Sequence, residues 1–163
     1  MKKINEKIFL RPVELPQEED FWRKVFFDSV EWHFAPLALP ENQMKTLLET
    51  QYQAQMLDYG ENYPQAENSV IMFEGERAGR VIASTEHNDI HLIDLAVLSR
   101  FRNRGIGTAV LKYFFEESRR LNLPIRFYVE KGNRAFRLYE RLGFRIVADV
   151  TSHFQMQWTP NNG

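Results

Sequence analysis

The chain has 163 residues, of which 44% are hydrophobic and 26% are charged, with a net charge of −1 and no cysteine. This composition is typical of a globular domain with a sizeable core, and it excludes a disulfide framework, a thiolate metal site and a cysteine nucleophile. No window approaches the run of about 20 apolar residues that a membrane span needs, and the amino terminus lacks the apolar segment of a signal peptide. We therefore expect one cytoplasmic domain, residues 1–163, with no membrane partner.

The charges are distributed unevenly along the chain. Residues 100–145 contain twelve Lys or Arg and four acidic residues, a net charge of +8, whereas the remaining residues carry −9. A basic segment of this kind is either a solvated helix surface or the binding site of a polyanion. The crowding of Arg100, Arg102 and Arg104 into five residues favours the polyanion.

The amino-terminal region predicts a short strand followed by two helices. Ile8-Phe9-Leu10 forms the strand, and the acidic residues within 17–20 lie in the first turn of a helix, where the macrodipole favours them. A second helix begins near Pro40 and ends at Gly60. An apolar, proline-containing segment, residues 32–40, connects the two helices.

The pattern changes after residue 66 from helical spacing to short apolar runs bounded by turn residues. We predict strands at residues 69–73, 80–83, 90–98, 125–129, 144–150 and 154–158. A long helix ending at Leu121 and a short helix over 133–142, ended by Gly143, separate the later strands. The expected fold class is therefore α/β, with a single mixed, mostly antiparallel central sheet flanked by helices.

A glycine turn, Gly105-Ile106-Gly107, lies between the apolar run 92–98 and the long amphipathic helix. The start of a helix presents unpaired N–H groups and the positive end of the macrodipole, and together these favour phosphate binding. Gly105 and Gly107 have no β-carbon, so a bulky anion can approach the backbone closely. A bare G-x-G also occurs in β-to-α connections that bind no ligand, so the turn alone leaves both interpretations open.

Other reaction classes lack their motifs. The chain contains no GxxxxGK(S/T) phosphate loop, no GxGxxG dinucleotide fingerprint before a suitable acidic residue, and no GxSxG nucleophile. His87 and His91 flank a turn and have no other ligands clustered near them, so we expect no metal site. We also expect no nucleic-acid partner, because the basic segment lacks the interleaved aromatic residues of a binding strand.

Two motifs stand in the carboxy-terminal half, each with a defined structural context. R-x-x-G-x-G over residues 102–107 follows the strand D-L-A-V of residues 94–97 and precedes a long helix. It is similar to the R/Q-x-x-G-x-G/A signature of the GNAT superfamily of N-acetyltransferases. N-x-A-x-x-x-Y-x-x-x-G-F over residues 133–144 resembles the second familiar stretch of that family. The resemblance covers residues 90–146 and implies a GNAT-like acyl-CoA N-acyltransferase fold with acetyl-CoA as the donor and no metal.

The resemblance also implies different roles for two regions of the chain. Residues 67–159 would form the sheet and the CoA-binding core, and the helical region 17–66 would vary with the acceptor. Backbone amides from Arg102 through Thr108 would hold the pyrophosphate, and Ala96 and Val97 would pair with the pantetheine arm, where a bulge would aim the Val97 N–H at the thioester oxygen. The implied cofactor-binding residues are Ala96, Val97, Arg102, Asn103, Arg104, Gly105, Ile106, Gly107, Thr108, Asn133 and Phe136.

For catalysis, the resemblance implies Tyr139 as the general acid that protonates the leaving thiolate. A phenol with a pKa of about 10 serves best as a hydrogen-bonded donor to a thiolate whose acid has a pKa of about 8.5. Many relatives have a glutamate base nine residues before the signature arginine, where this chain has Ile93. Asp94 is the predicted base if a bulge rotates it, because strand alternation points it to the other sheet face. Glu86, His91 or a water molecule are the alternatives.

We therefore expect an N-acetyltransferase that moves the acetyl group to a primary amine by direct attack in a ternary complex. The acceptor would be a small molecule or a protein or peptide amine that enters over the two amino-terminal helices. Candidate pocket residues on those helices are Trp32, His33, Tyr52, Tyr59 and Tyr63. Two alternatives stay open: a non-catalytic acyl-CoA-binding module and an acetyltransferase that acts on aminoacyl-tRNA. The sequence also leaves open a homodimer and an acyl group longer than acetyl.

Overall fold

The computed structural model describes residues 1–86 and 88–160, and within them eight strands form one sheet in the order β1-β2-β3-β4-β5-β6-β8-β7. The strands are Lys2–Lys3 (β1), Ile8–Pro12 (β2), Glu67–Phe73 (β3), Glu76–Glu86 (β4), Asp89–Val97 (β5), Ile125–Glu130 (β6), Arg145–Val150 (β7) and His153–Trp158 (β8). Every neighbouring pair is antiparallel except β5 and β6. The predicted fold class is confirmed. The predicted final hairpin also forms, with β8 inserted between β6 and β7.

The described helices are Glu19–Phe34 (α1), Glu41–Asn62 (α2), Ile106–Leu121 (α3) and Phe136–Arg141 (α4). The prediction that α2 ends at Gly60 was wrong, because the helix continues to Asn62 and the Tyr63 N–H still donates to the Tyr59 carbonyl. A glycine weakens a helix but keeps its backbone donor and acceptor, so it need not end one. None of the described helices combines the length and apolar character that crossing a bilayer requires.

The helices cover opposite faces of the sheet. On one face, the Arg80 side chain of β4 lies over the Trp22 and Phe26 rings of α1 and hydrogen-bonds to α2 through Gln55. On the other face, Phe115 of α3 stacks on Trp158 of β8, with ring centroids 4.2 Å apart. The central strands of the sheet therefore lie between two layers of helices, whereas the edge strands β1 and β7 are largely exposed.

Strands β5 and β6 separate soon after they meet. They pair at only two positions, Ile90 with Ile125 and His91 with Arg126. Ile82 of β4 then faces Asp94, whereas its neighbour Ala83 faces Leu92, so Ile93 is an extra, bulged residue. A bulge bends its strand and increases the local twist, which turns the rest of β5 away from β6.

The position of this bulge corrects the sequence prediction, which expected a bulge at Ala96 and Val97. Those two residues pair regularly with Arg80 and Gly79 of β4. Their hydrogen-bonding edge on the β6 side has no strand partner among the described residues, because β6 has already diverged. The gap between β5 and β6 therefore exposes backbone at the end of β5.

Candidate active site

Two adjacent cavities occupy the gap between the diverging strands. The large cleft, of about 610 Å³, is lined mainly by residues 95–97, by residues 101–103 and 105–108 and by residues 133–135, 137–139 and 141. The small pocket, of about 130 Å³, is lined mainly by residues 92–95 and 127–130. The residues that line both cavities are Leu95, Leu111, Asn133 and Tyr139.

The glycine turn forms one end of the large cleft. Gly105 precedes the first residue of α3 with a φ of 78°, a left-handed conformation that glycine adopts without steric strain. A β-carbon built on Gly107 would meet no atom within 4 Å, so the cleft beside this backbone is open. The first turn of α3 also presents N–H groups that have no intrahelical partner. These are the features that a phosphate-binding turn needs.

The side chain of Arg102 connects this turn to β5 and to α1. Its Nε donates to the Val97 carbonyl at 3.1 Å, and its Nη2 donates to Asp28 Oδ2 of α1 at 2.9 Å. The same carboxylate accepts the Ser99 backbone N–H at 3.1 Å. No sequence motif marked Asp28, since its partners lie more than seventy residues away.

The structure brings most of the predicted cofactor-binding residues together at the large cleft. Nine of them line it: Ala96, Val97, Arg102, Asn103, Gly105, Ile106, Gly107, Thr108 and Asn133. Arg104 is not among the described lining residues, and its guanidinium lies 5.7 Å from the centroid of the Phe101 ring. Phe136 is not among them either, because its ring packs against Phe154, 5.6 Å away.

Tyr139 of α4 lies in the wall that the two cavities share. Its ring packs edge-on against Phe127 at 4.6 Å and lies 6.1 Å from Phe144. Burial raises the pKa of the Tyr139 phenol to about 12, and the nearby charge of Asp94 acts in the same direction. The hydroxyl is therefore protonated at neutral pH and is a hydrogen-bond donor at this wall.

Asp94 lines the small pocket, as a base would, but its carboxylate forms an ion pair with an arginine. The bulge at Ile93 rotates Asp94 onto the face of α1 and α2, which is the condition that its predicted role required. There Oδ2 accepts the Nε of Arg80 at 2.7 Å. Arg80 has no exposed surface, and its Nη2 also donates to Gln55 at 2.7 Å. Asp94 is therefore part of a buried ion pair.

A second carboxylate, Glu130 at the end of β6, also lines the small pocket. Its Oε1 lies 2.8 Å from Nδ1 of His33 in the last turn of α1. His33 is one of the predicted pocket residues, and it reaches the pocket through this contact. Sequence reasoning missed Glu130, because the contact depends on α1 crossing to β6, 97 positions further along the chain.

The alternative bases lie apart from both cavities. His91 is buried edge-on to the rings of Tyr63 and Tyr128, with centroid distances of 5.2 and 6.1 Å. Burial lowers the pKa of His91 to about 4, and the positive charge of Arg126 contributes. Glu86 is exposed and accepts the Ser84 hydroxyl at 3.3 Å. Neither is among the described lining residues of the two cavities.

Of the five predicted pocket residues, Trp32 alone is among the described lining residues of these two cavities, at the large cleft. Tyr52 is buried between α1 and α2, where its hydroxyl donates to Glu19 at 2.9 Å. Burial raises the pKa of the Tyr59 hydroxyl, and the ring of Tyr59 lies 6.1 Å from that of Tyr63. Tyr52, Tyr59 and Tyr63 are thus not among the described lining residues of either cavity.

Across residues 1–86 and 88–160, no group of three or more His, Asp or Glu side chains could hold a metal ion. His87, one of the two histidines that the sequence analysis considered as metal ligands, lies outside the described residues. The expectation that no metal binds there stays a prediction.

The charged side chains that line the two cavities differ in sign. The charged residues that line the large cleft are four arginines, Arg102, Arg134, Arg137 and Arg141, and its described lining has no Asp or Glu. The charged residues that line the small pocket are Asp94 and Glu130, and its described lining has no Lys or Arg. This arrangement suits a polyanion in the cleft and a cation in the pocket, with Tyr139 between them.

Comparisons with known proteins point the same way. A family model described as the acetyltransferase (GNAT) family matches residues 27–144. The PaiA N-acetyltransferase from Thermoplasma acidophilum in complex with coenzyme A has a TM-score of 0.71 at 18% identity, over 93% of this chain and 98% of that chain. Ard1 from Thermoplasma volcanium has a TM-score of 0.61 at 22% identity, over 94% and 97% of the two chains.

A further similar structure is the ribosomal-protein-S18-alanine N-acetyltransferase from Escherichia coli. It has a TM-score of 0.61 at 17% identity, over 93% of each chain. At these identities the likeness shows a common fold. No curated protein matches the sequence.

Proposed function

The chain belongs to the acetyltransferase (GNAT) family and is therefore an acyltransferase, and we propose that it moves an acetyl group from acetyl-CoA to a primary amine. The observation that carries this proposal is the pair of oppositely charged cavities that meet at Tyr139. CoA is a polyanion, and a primary amine with a pKa of about 10 is a cation at neutral pH. The pocket volume suits the amine-bearing end of a small molecule or a peptide.

The residues of the large cleft fit the cofactor. Backbone N–H groups from Gly105 through Thr108 would hold the pyrophosphate, and the open space beside Gly107 leaves room for it. On the open edge of β5, the Val97 carbonyl already accepts the Nε of Arg102, and the Val97 N–H would pair with an amide group of the pantetheine arm, as an added strand does. The Asn133 Oδ1 accepts the Ala135 N–H at 2.8 Å, which leaves its Nδ2 as a donor for the same arm. When bound, acetyl-CoA supplies a thioester carbonyl that an amine can attack.

Tyr139 would act as the proton donor to the leaving thiolate. Its pKa of about 12 keeps the phenol protonated, and its packing against Phe127 fixes the ring at the shared wall. A hydrogen bond from this hydroxyl would stabilise the developing negative charge on sulfur as the carbon–sulfur bond breaks. If the phenol passes its proton to sulfur, it would take back the proton that the attacking nitrogen loses when the amide forms, so that CoA leaves as the thiol and Tyr139 is again neutral.

The ammonium form of the acceptor must lose a proton before it attacks, and we propose that one of the two carboxylates in the small pocket accepts it. Asp94 is the residue predicted from the sequence, and its Oδ2 is occupied by Arg80. Among the described residues, the Glu130 carboxylate has a salt-bridge partner only in His33, and its side chain keeps 29% of its surface exposed. The free oxygen of Glu130 makes it the better-placed acceptor, directly or through one water molecule.

The proposed activity is tested by thiol release from acetyl-CoA with a panel of primary amines, for the wild type and Tyr139→Phe. Removal of the proton donor should lower kcat by about a hundredfold. CoA affinity should change less than about twofold, because phenylalanine keeps the ring packing. Absence of thiol release with every amine would contradict a free-amine acceptor. Salt-dependent RNA binding would then favour aminoacyl-tRNA.

A further inference from the structure

The arginines in and beside the glycine turn provide little unpaired positive charge to the large cleft. Arg102 is paired with Asp28, and Arg104 lies over the rings of Phe73 and Phe101 instead of lining the cleft. Arg100 is also absent from the described lining. Phosphate recognition at the turn therefore rests on backbone N–H groups, and further positive charge must come from another wall.

That wall is the segment that contains α4. Arg134, Arg137 and Arg141 all line the large cleft, and all three are exposed. Their spacing of three and then four residues places them on one side of a helical segment. None of them forms a salt bridge with an acidic residue in the described part of the chain, unlike Arg102. They are thus three free guanidinium groups in a cleft whose described lining contains no acid.

CoA presents one anionic group that the turn does not account for. Its pyrophosphate is matched by the start of α3, but its ribose also carries a 3′-phosphate, a monoester with a charge of about −1.5 to −2 at pH 7. Guanidinium groups bind such phosphates through paired, charge-assisted hydrogen bonds. We propose that Arg134, Arg137 and Arg141 bind the 3′-phosphate and make the enzyme select CoA over 3′-dephospho-CoA. This proposal rests on the proposed function, since it assumes that CoA occupies the large cleft.

The distinction between the two phosphate sites is open to direct measurement. CoA and 3′-dephospho-CoA share the pyrophosphate and the pantetheine arm, so every contact at the glycine turn and β5 is the same for both. A preference for CoA can therefore come only from groups near the 3′-phosphate. The arginine variants report on that phosphate alone if they change the affinity for CoA and leave the affinity for the dephospho form unchanged.

The experiment is calorimetric titration of the full chain with CoA and with 3′-dephospho-CoA. The variants are Arg137→Ala with Arg141→Ala, and Arg134→Ala. The matched control is Arg145→Ala, an exposed arginine on β7 outside the cleft. We expect the wild type to bind CoA about tenfold more tightly than the dephospho form, and the double variant to lose most of that preference. The dephospho form should bind the double variant and the wild type within about twofold of each other.

Three results would count against the inference or its premise. Equal affinity of the wild type for CoA and 3′-dephospho-CoA would overturn the inference and leave the proposed function intact. An equal loss for both ligands in the double variant would also overturn it, because the arginines would then act on the shared pyrophosphate. Failure of the wild type to bind either ligand would refute the proposed function itself. Thermal melting of each variant separates lost binding from lost folding.

Discussion

The two carboxylates that line the small pocket, Asp94 and Glu130, differ in their charged partners. Asp94 neutralises Arg80, a fully buried arginine, whereas within the described part of the chain the salt-bridge partner of Glu130 is the half-exposed His33 alone. Removal of one partner from a buried pair leaves an uncompensated charge and costs far more than removal of a partly exposed carboxylate. Replacement of the carboxylate by an amide should therefore lower stability at Asp94 and lower catalysis at Glu130.

We predict that Glu130→Gln lowers kcat/KM by about a hundredfold with little change in stability. Asp94→Asn should lower the free energy of unfolding by about 3 kcal/mol, because the Arg80 charge stays buried without its counter-ion. The measurements are thiol-release rates from pH 6 to 9 and urea unfolding. Glu140→Gln is the matched control, an exposed carboxylate on α4 outside both cavities. A stable, inactive Asp94→Asn beside a fully active Glu130→Gln would instead identify Asp94 as the base.

At the scale of elements, the site is made by the ends of β5 and α3. β5 ends close against β4, since a β-carbon on Gly79 would lie 2.2 Å from the Ala96 carbonyl oxygen. Gly79 thus permits the close approach of β4 and β5 that positions Ala96 and Val97. At the start of α3, Gly105 permits the left-handed turn, and Gly107 leaves the cleft open. Each glycine serves a different steric need.

We predict that Gly107→Val weakens CoA binding by about tenfold or more, a loss of about 1.4 kcal/mol, because the side chain would fill the space beside the phosphate-binding backbone. Gly60→Val is the matched control, since Gly60 also lies in a helix with nothing within 4 Å of an added β-carbon. Both variants should melt near the wild-type temperature, because valine is at least as good a helix former as glycine. Gly105→Val should bind CoA poorly as well, but its positive φ adds strain.

Calorimetry with CoA distinguishes the two glycine variants. Unchanged affinity in Gly107→Val would contradict phosphate binding at this turn. Weaker binding in Gly60→Val would show that the loss at Gly107 reflects a general effect on helices and not on the cleft.

At the scale of the whole molecule, two buried titratable groups make the free energy of unfolding depend on pH. Glu18 precedes α1 and accepts two hydrogen bonds from Arg11 of β2, at 2.7 and 2.8 Å, which lower the pKa of Glu18 to about 2. His91 of β5 lies against two aromatic rings, and burial lowers its pKa to about 4. Both groups bind a proton more readily in the unfolded chain, so both make folding less favourable as the pH falls.

We predict that the free energy of unfolding decreases in two acid steps. His91 should account for a loss of about 3 kcal/mol as the pH falls from 6.5 to 4, and Glu18 for a similar loss between pH 4.5 and 2. Urea unfolding at pH 7, 5.5 and 4 tests the first step. His91→Gln should flatten it, since glutamine does not titrate. An unchanged pH dependence in His91→Gln would show that the folded protein protonates His91 as readily as the unfolded chain does, or that other groups control this range.

The sequence by itself determined the features that depend on local chemistry. Hydrophobic periodicity indicated most of the strands and helices, and the two motifs at residues 102–107 and 133–144 led to the family. Gly105, Gly107 and Tyr139 could be singled out because a turn, a helix start and a helix face are properties of a few neighbouring residues.

Only the tertiary structure decided which side chains meet. The bulge at Ile93 rotates Asp94 onto Arg80, Asp28 reaches Arg102 from α1, and Glu130 meets His33 across the diverging strands. It also showed that the free arginines of the cleft lie in α4 and in the turn just before it, and not in the glycine turn. These contacts depend on strand register and on where a helix crosses the sheet. Register and crossing follow from the packing of the whole chain, which no short stretch of sequence specifies.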